Sequence, residues 1–270
     1  MIPHIIHQIW YQGFSNLPHK YIPMQKTWLL NHPNWDYYLW DQNSILDLIE
    51  SSYNSNIKSL YEKLPKMIQK IDLAKYLILY KYGGVYVDMD MESIQPLDSL
   101  VNSSPYSDLF VVELDIACPS NKKFCLAMWF VTEGKYIKGP TYNNAFLASR
   151  PNHPFWIDVI TKIPYHIKRK WYQNDIMYIF NSTGPILITS VLRDHKYHNL
   201  HICPSKYFEP CNHSKKKCDF STKEVYANHH FSNTWMSNNM KILMYLYYNP
   251  LIIIIIILTI ILIIVWIIKY

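Results

Sequence analysis

The sequence predicts an α/β fold: a mostly parallel sheet with helices on both faces, followed by an apolar C-terminal helix. Three observations carry this. Short apolar strand patterns near the N-terminus lead into a helix, a Gly-Gly step and another strand, the element order of a layered α/β domain. Across Gly83-Gly84 the apolar period changes from about 3.6 to 2, as it does where a helix hands over to a strand. From Leu251 to Ile268 the chain reads LIIIIIILTIILIIVWII, with one threonine and no charge.

Taken in order, MIPHIIHQIW lacks a charged region followed by an apolar run, so it does not read as a secretory signal. Ile5, Ile6 and Ile9 make a short buried strand that reaches a turn at Gly13. Trp35, Tyr37 and Leu39 alternate as a second strand after a turn around Pro33, and residues 45–61 read as helical. Pro65 opens the next helix, with Leu73, Ala74, Leu77, Ile78 and Tyr80 on its apolar face. On that helix Asp72 and Lys75 are three apart and share a face. Gly83 and Gly84 stop it. A strand then runs to Met91, driving Val85, Val87, Met89 and Met91 into a core and leaving Tyr86, Asp88 and Asp90 together on the other face. Leu109–Leu114 is a further strand, ending near Glu113 and Asp115. The closing apolar run spans about 27 Å at 1.5 Å per residue and reads as a membrane anchor, with interface aromatics at Tyr245, Tyr247, Tyr248 and Trp266. The organisation expected is a domain over 1–238, a juxtamembrane segment over 239–250 and a transmembrane helix over 251–268.

A chain of 270 residues holds one good core and a tail. The net charge of +6 is modest, and Lys215-Lys216-Lys217 is the one dense basic run, so no nucleic-acid partner is expected. Five cysteines without a C-x-x-C pair exclude the usual zinc spacings, and their odd count points to a reducing compartment. Acceptor patterns for N-glycosylation at Asn102, Asn181 and Asn212 carry little weight in an asparagine-rich chain.

Asp88 and Asp90 carry the chemistry. On an ideal strand their alpha carbons lie about 6.6 Å apart, too far for both to grip one small cation unless the strand bends or water bridges. Hard divalent cations take one or two carboxylates, several waters and substrate phosphates, so such a pair asks for Mg²⁺ or Mn²⁺ with a phosphate-bearing ligand.

The pattern D-x-x-[RK]-Y-x-x-L-Y-x-x-G-G-x-Y-x-D-x-D, from Asp72 to Asp90, resembles the central motif of glycosyltransferase family 32, which includes initiating α-1,6-mannosyltransferases and inositol phosphorylceramide mannosyltransferases. I-P-x-I-I-H-Q-I-W, His32-Pro33-Asn34-Trp35 (against the family's N-P-x-W), T-G-P at Thr183 and the H-x-x-x-x-W ending at Trp235 are similar to further segments of that family. The resemblance implies a GT-A nucleotide-sugar transferase fold, with the sheet described above, and sugar transfer that retains anomeric configuration. It implies that Ile9 and Trp10, at the end of the first strand, meet the donor's base. Asp72 and Lys75 would orient the sugar and flank the diphosphate, and Tyr86 would share the donor face with Asp88. Asn144, with Asn143 in reserve, would approach the reacting sugar. His229, favoured over His230, would join Asp88 and Asp90 around the metal, and Trp235 would cap the diphosphate. Family members usually carry arginine at Lys75; lysine keeps the charge but loses the bidentate fork.

The donor expected first is GDP-mannose, then a UDP-hexose, and the acceptor a lipid or glycan hydroxyl at the face of a bilayer. The anchor, close to the C-terminus, implies insertion after synthesis into an endomembrane or viral membrane, with its sidedness open. Two other classes remain: a metal-dependent nucleotide-sugar phosphohydrolase using the same aspartates, and a catalytically dead tail-anchored scaffold, for which the lysine at Lys75 speaks and the intact Tyr86-x-Asp88-x-Asp90 does not.

Overall fold

The computed structural model describes residues 1–114, 140–211, 218, 220, 223–248 and 250–269, in two compact units, Met1–Phe231 and Ser232–Tyr270. Asp115, Cys118, Cys125, the acceptor pattern at Asn212 and Lys215–Lys217 lie outside the described residues.

In the first unit the strands are β1 (Ile5–Ile9), β2 (Asp36–Trp40), β3 (Gly84–Val87), β4 (Met91–Ser93), β5 (Leu109–Leu114), β6 (Thr141–Ser149), β7 (Leu200–Cys203) and β8 (Ala227–His229). The helices are α1 (Ile22–Asn31), α2 (Gln42–Ser52), α3 (Ser55–Lys63), α4 (Met67–Tyr82), α5 (Asp98–Ser103), α6 (Pro154–His166), α7 (Asp175–Ser182) and α8 (Pro185–Asp194). Local signals start several of them. Asp41 and Ser44 form a reciprocal capping box on α2, and Asn54 and Asn174 cap α3 and α7 through their side chains.

Six strands form one mixed sheet in the order β2-β1-β3-β6-β5-β7, while β4 and β8 pair separately. β1 runs parallel to β2 and β3, and β5 parallel to β7; β6 is antiparallel to both its neighbours. Among the described strands of this sheet three of the five pairings are parallel, so the sheet is mixed with parallel pairing in the majority. Both of its faces are buried. Tyr86, Leu109, Val111 and Leu147 pack with α2, α3, α4, α6 and α8, whereas Val85, Val87, Phe110, Val112 and Phe146 pack with Trp28 of α1 and Leu100 of α5. Strands buried on two faces read as continuous apolar runs, which is why LFVVEL shows no polar alternation until its end.

The strand expected to run to Met91 stops at Val87. The chain turns there, with the Met91 N–H donating to the Asp88 carbonyl at 3.1 Å, and Met91 starts β4, which pairs with β8. The alternation continues past the break because Met91 meets the same core as Val85 and Val87, while Met89 joins a separate cluster with Leu17 and Tyr21. Trp28 donates its indole N–H to the Met91 carbonyl at 2.8 Å and so fixes α1 to the far side of the turn.

Helix α4 ends against β1. Gly83 and Gly84 both have positive φ, 65° and 85°. A Cβ on Gly84 would stand 2.6 Å from the Ile5 carbonyl oxygen, so the site needs glycine for space as well as conformation. His7 locks the junction: its Nε2 donates to the Gly83 carbonyl at 3.0 Å while its Nδ1 accepts the Trp40 indole N–H at 3.1 Å. Burial keeps this imidazole neutral, pushing its pKa down to about 4.

The second unit holds α9 (Asn238–Tyr248) and α10 (Pro250–Lys269). The expectation of a single-pass C-terminal anchor is overturned here: among the described residues, no helix is long and apolar enough to cross a membrane. The cysteine reading also changes, because Cys211 and Cys218 form a disulfide with alpha carbons 4.3 Å apart, which does not fit an expectation of reduced thiols.

Gly84→Ala is expected to destabilise the protein by about 2–4 kcal/mol, from positive-φ strain and the clash with Ile5. The check is the urea midpoint at unchanged slope; a loss below about 0.5 kcal/mol would show that the junction adapts.

Candidate active site

The site is built around α4, which is buried along most of its length from Asp72 to Leu79. Asp72 and Lys75 were read as sharing a helix face, and they do, with Nζ 3.1 Å from Asp72 Oδ1. Their setting is not a surface, since both side chains are only 2% exposed. Lys75 also reaches Asp88 Oδ1 at 3.1 Å and the Asn144 carbonyl at 3.4 Å, and it lies 4.9 Å from the centroid of the Tyr86 ring. An ammonium has three N–H donors, and these three acceptors use them all. In this conformation Lys75 braces two carboxylates and has no donor left for a phosphate.

Asp72 is equally engaged. Oδ1 accepts from Asn144 Nδ2 at 3.0 Å as well as from Lys75, and Oδ2 accepts the Thr183 hydroxyl at 2.9 Å. Burial raises its pKa to about 6 against the opposing pull of Lys75 and Thr183. Burial also works against the charge on Lys75, but Asp88 and Asp72 outweigh it and hold its pKa above the ordinary value.

Asp88 follows β3 directly. Its Oδ1 accepts the Tyr86 hydroxyl at 2.7 Å beside Lys75, its N–H donates to the Ala145 carbonyl at 2.8 Å, and its carbonyl accepts from buried Gln8 at 3.2 Å. Opposite it, β6 breaks register: Val111 pairs with Leu147 but Val112 with Asn143. This bulge lets successive asparagines serve different partners. Asn144 turns to Asp72, while Asn143 bonds to Glu209 and accepts the Ala145 N–H at 2.6 Å. The asparagine expected near the sugar and its reserve thus both belong to the site's framework.

The turn after β3 brings Asp90 back toward Asp88, and the β4–β8 pairing brings His229 beside them. Ligand atoms of Asp88, Asp90 and His229 lie within 4.8 Å of one another. His229 Nε2 is 3.5 Å from Asp90 Oδ1, and Nδ1 is 3.3 Å from Glu209 Oε1. Burial disfavours the imidazolium, but the bonds to Asp90 and Glu209 outweigh it and raise its pKa to about 10. His230, the less favoured of the two candidates, bonds to Glu92 at 2.9 Å on the exposed side. Two carboxylates and an imidazole whose far nitrogen meets a carboxylate form a donor set that fits Mn²⁺. Both described bonds to the Asp88 carboxylate fall on Oδ1, which leaves Oδ2 for a cation.

Against this geometry the relatives can be set. The profile of glycosyltransferase sugar-binding regions containing a DXD motif matches residues 18–107. An uncharacterized glycosyltransferase of Acanthamoeba polyphaga mimivirus is 30% identical over 242 residues, covering 87% of this chain and 84% of that protein. The chain belongs to the DXD glycosyltransferases of family 32. It is an enzyme of that class, built on a mixed sheet flanked by helices. Inositol phosphoceramide mannosyltransferase 1 of Schizosaccharomyces pombe is 27% identical over 191 residues, covering 70% of this chain and 50% of that one. The chain thus spans about half the length of that relative. The solved PaToxG glycosyltransferase aligns with a TM-score of 0.49 and 17% identity, covering 72% of this chain and 69% of that one, a likeness too distant to carry a conclusion.

The other residues named from sequence fall in different places in this glycosyltransferase. Ile9 is buried in β1, and Trp10, just beyond it, is partly exposed, donating its indole N–H to the Asn16 carbonyl at 3.0 Å and lying against Tyr21. Trp235 belongs to the C-terminal unit, outside the one that holds the carboxylates. Two participants escaped sequence reasoning. Glu209 lies in a stretch without a recognisable motif, and Thr183 was noted for its helix start, not for a hydroxyl that bonds to Asp72 across 111 positions.

Removing the ammonium with Lys75→Met leaves Asp72 buried without its counter-charge and is expected to cost about 3–5 kcal/mol, read from chemical denaturation. A loss under about 1 kcal/mol would mean that Asp72 neutralises itself by taking up a proton.

Proposed function

We propose that this glycosyltransferase moves a hexose, mannose first, from a nucleotide-sugar to a hydroxyl of a lipid or glycan, with retention of configuration and a divalent cation. The catalytic domain is residues 1–238 in this reading. The observation that carries it is the joining, through Asp88, of the Asp88–Asp90–His229 cluster to the buried Lys75–Asp72 pair. GDP-mannose is favoured because the relatives include inositol phosphoceramide mannosyltransferases, with a UDP-hexose next.

Asp88, Asp90 and His229 would hold Mn²⁺ or Mg²⁺, which when bound would supply Lewis-acid neutralisation of the departing diphosphate. Lys75 keeps Asp88 aimed and adds positive charge beside the leaving group. Asp72 accepts from donor hydroxyls through its remaining lone pair on Oδ2, with Asn144 and Thr183 setting its plane. Ile9 and Trp10 border the base, and Tyr86 holds Asp88. Asp72 has both oxygens in hydrogen bonds, and a carboxylate so engaged is a poor nucleophile. That supports front-face attack by the acceptor, assisted by the leaving diphosphate, over a covalent intermediate.

The test is thermal-shift binding of the full chain with Mn²⁺ and either GDP or UDP, run beside Asp90→Ala. Binding at a hundredfold excess over Kd stabilises by about 2.7 kcal/mol. A metal-dependent shift with GDP that Asp90→Ala abolishes is expected; a shift with UDP alone would replace the donor. No shift with either would contradict the transferase reading and favour a scaffold.

Acid should weaken the enzyme. Because burial lifts Asp72 to about 6, the carboxylate is ionised above that pH and takes up a proton below it, releasing Lys75. kcat/KM should fall about tenfold per unit below pH 6. An acidic limb near pH 4, the ordinary carboxylate range, would contradict this role.

A further inference from the structure

We infer that Glu209 is a positioning residue for the metal site, holding the His229 ring so that Nε2 faces Asp88 and Asp90; this rests on the metal reading above. Glu209 follows a short 3-10 turn, Ser205–Tyr207, and its N–H donates to the Ser205 carbonyl at 2.8 Å. Its side chain is 4% exposed. Oε1 accepts from Asn143 Nδ2 and from His229 Nδ1, and Oε2 accepts the Ser205 hydroxyl at 3.4 Å.

The orientation of each group in this series is determined. Asn143 Oδ1 accepts the Ala145 N–H, so its amide nitrogen is the atom that faces Glu209. His229 Nδ1 lies against Glu209 Oε1 and Nε2 against Asp90 Oδ1, so Nδ1 is the nitrogen committed to Glu209 and Nε2 the one that would meet a cation on giving up its proton. Backbone holds the other end, where the His229 N–H donates to the Phe208 carbonyl at 3.1 Å. The Phe231 ring lies over the imidazole with centroids 4.0 Å apart, which limits the ring's tilt but not its flip about Cβ–Cγ. Glu209 is what selects between the two flips.

This arrangement links the two halves of the site through one bulge. Asn144 orients Asp72, and its neighbour Asn143 orients Glu209 and, through it, His229. A hydrogen-bonded carboxylate behind a ligating imidazole fixes its tautomer and raises its basicity, and loss of such a partner costs about 10–100-fold in metal affinity.

Glu209→Gln keeps the shape and can keep both bonds on its one carbonyl oxygen, because Asn143 and His229 share Oε1, but it removes the negative charge behind the imidazole that raises the basicity of Nε2. The experiment is titration of the full chain with Mn²⁺ alone, by calorimetry or electron paramagnetic resonance, on wild type, Glu209→Gln, His229→Ala and the double variant. Glu209→Gln should weaken Mn²⁺ binding about 10–100-fold, and the same change in the His229→Ala background should alter it less than about twofold. Wild-type affinity in Glu209→Gln, or an undiminished effect without His229, would overturn the inference while leaving the metal site standing. Absence of Mn²⁺ binding in wild type would overturn the metal reading itself and the inference with it. A readout that needs no variant is the ¹⁵N imidazole spectrum of the Zn²⁺-loaded full chain. His229 protonated on Nδ1 is expected; protonation on Nε2 would overturn the assignment.

Discussion

A lysine charge buried between two carboxylates sets the terms for the rest of this molecule. Withdrawn from water, an ammonium survives only if acceptors stand at hydrogen-bond distance on every side. For Lys75 these come from three elements: Asp72 one turn back on α4, Asp88 at the end of β3 and the Asn144 carbonyl on β6. Each requirement shapes the fold. Helix α4 must be a core helix. β3 must stop after Val87 so that Asp88 turns in, and β6 must bulge so that its carbonyl and side chains reach opposite partners.

The same geometry converts a structural need into a functional one. The bend that gives Lys75 its second carboxylate also closes the distance between Asp88 and Asp90, which a straight strand would keep apart. It delivers Met91 to β4, and the β4–β8 pairing sets His229 opposite Met91. Charge balance follows: one ammonium faces Asp72 and Asp88, and the imidazole lies between Asp90 and Glu209. A dication entering among Asp88, Asp90 and His229 displaces a proton from the imidazole, so binding is linked to pH.

How much of this could be read beforehand follows from how local each signal is. The helix, the glycine pair and the aspartates sit within twenty residues, and period and punctuation place them well. β1 and β5 were equally plain, since Ile5, Ile6 and Ile9 lead to the turn at Gly13 and Leu109–Val112 are four apolar residues in a row. The break at Val87 was hidden because Met89 and Met91 are also buried, so the alternation continues across a turn into another sheet. Glu209 was invisible for a different reason. Its partners Asn143 and His229 lie 66 and 20 positions away, and nothing in the local sequence marks a glutamate as buried. The C-terminal run misled in the opposite sense: composition alone argued for a membrane span, whereas no helix among the described residues is long and apolar enough to cross one. The Cys211–Cys218 pair shows that an odd cysteine count says little about the pairing within it.

The central claim is that Asp88, Asp90 and His229 hold one divalent cation against the diphosphate of a nucleotide-sugar. The most direct measurement is anomalous diffraction at the manganese edge from crystals of the full chain grown with Mn²⁺ and GDP. A single peak about 2.0–2.3 Å from one carboxylate oxygen each of Asp88 and Asp90 and from His229 Nε2, with the diphosphate alongside, is the predicted result. A peak elsewhere, or nucleotide bound at the site with no metal between it and the aspartates, would contradict the claim.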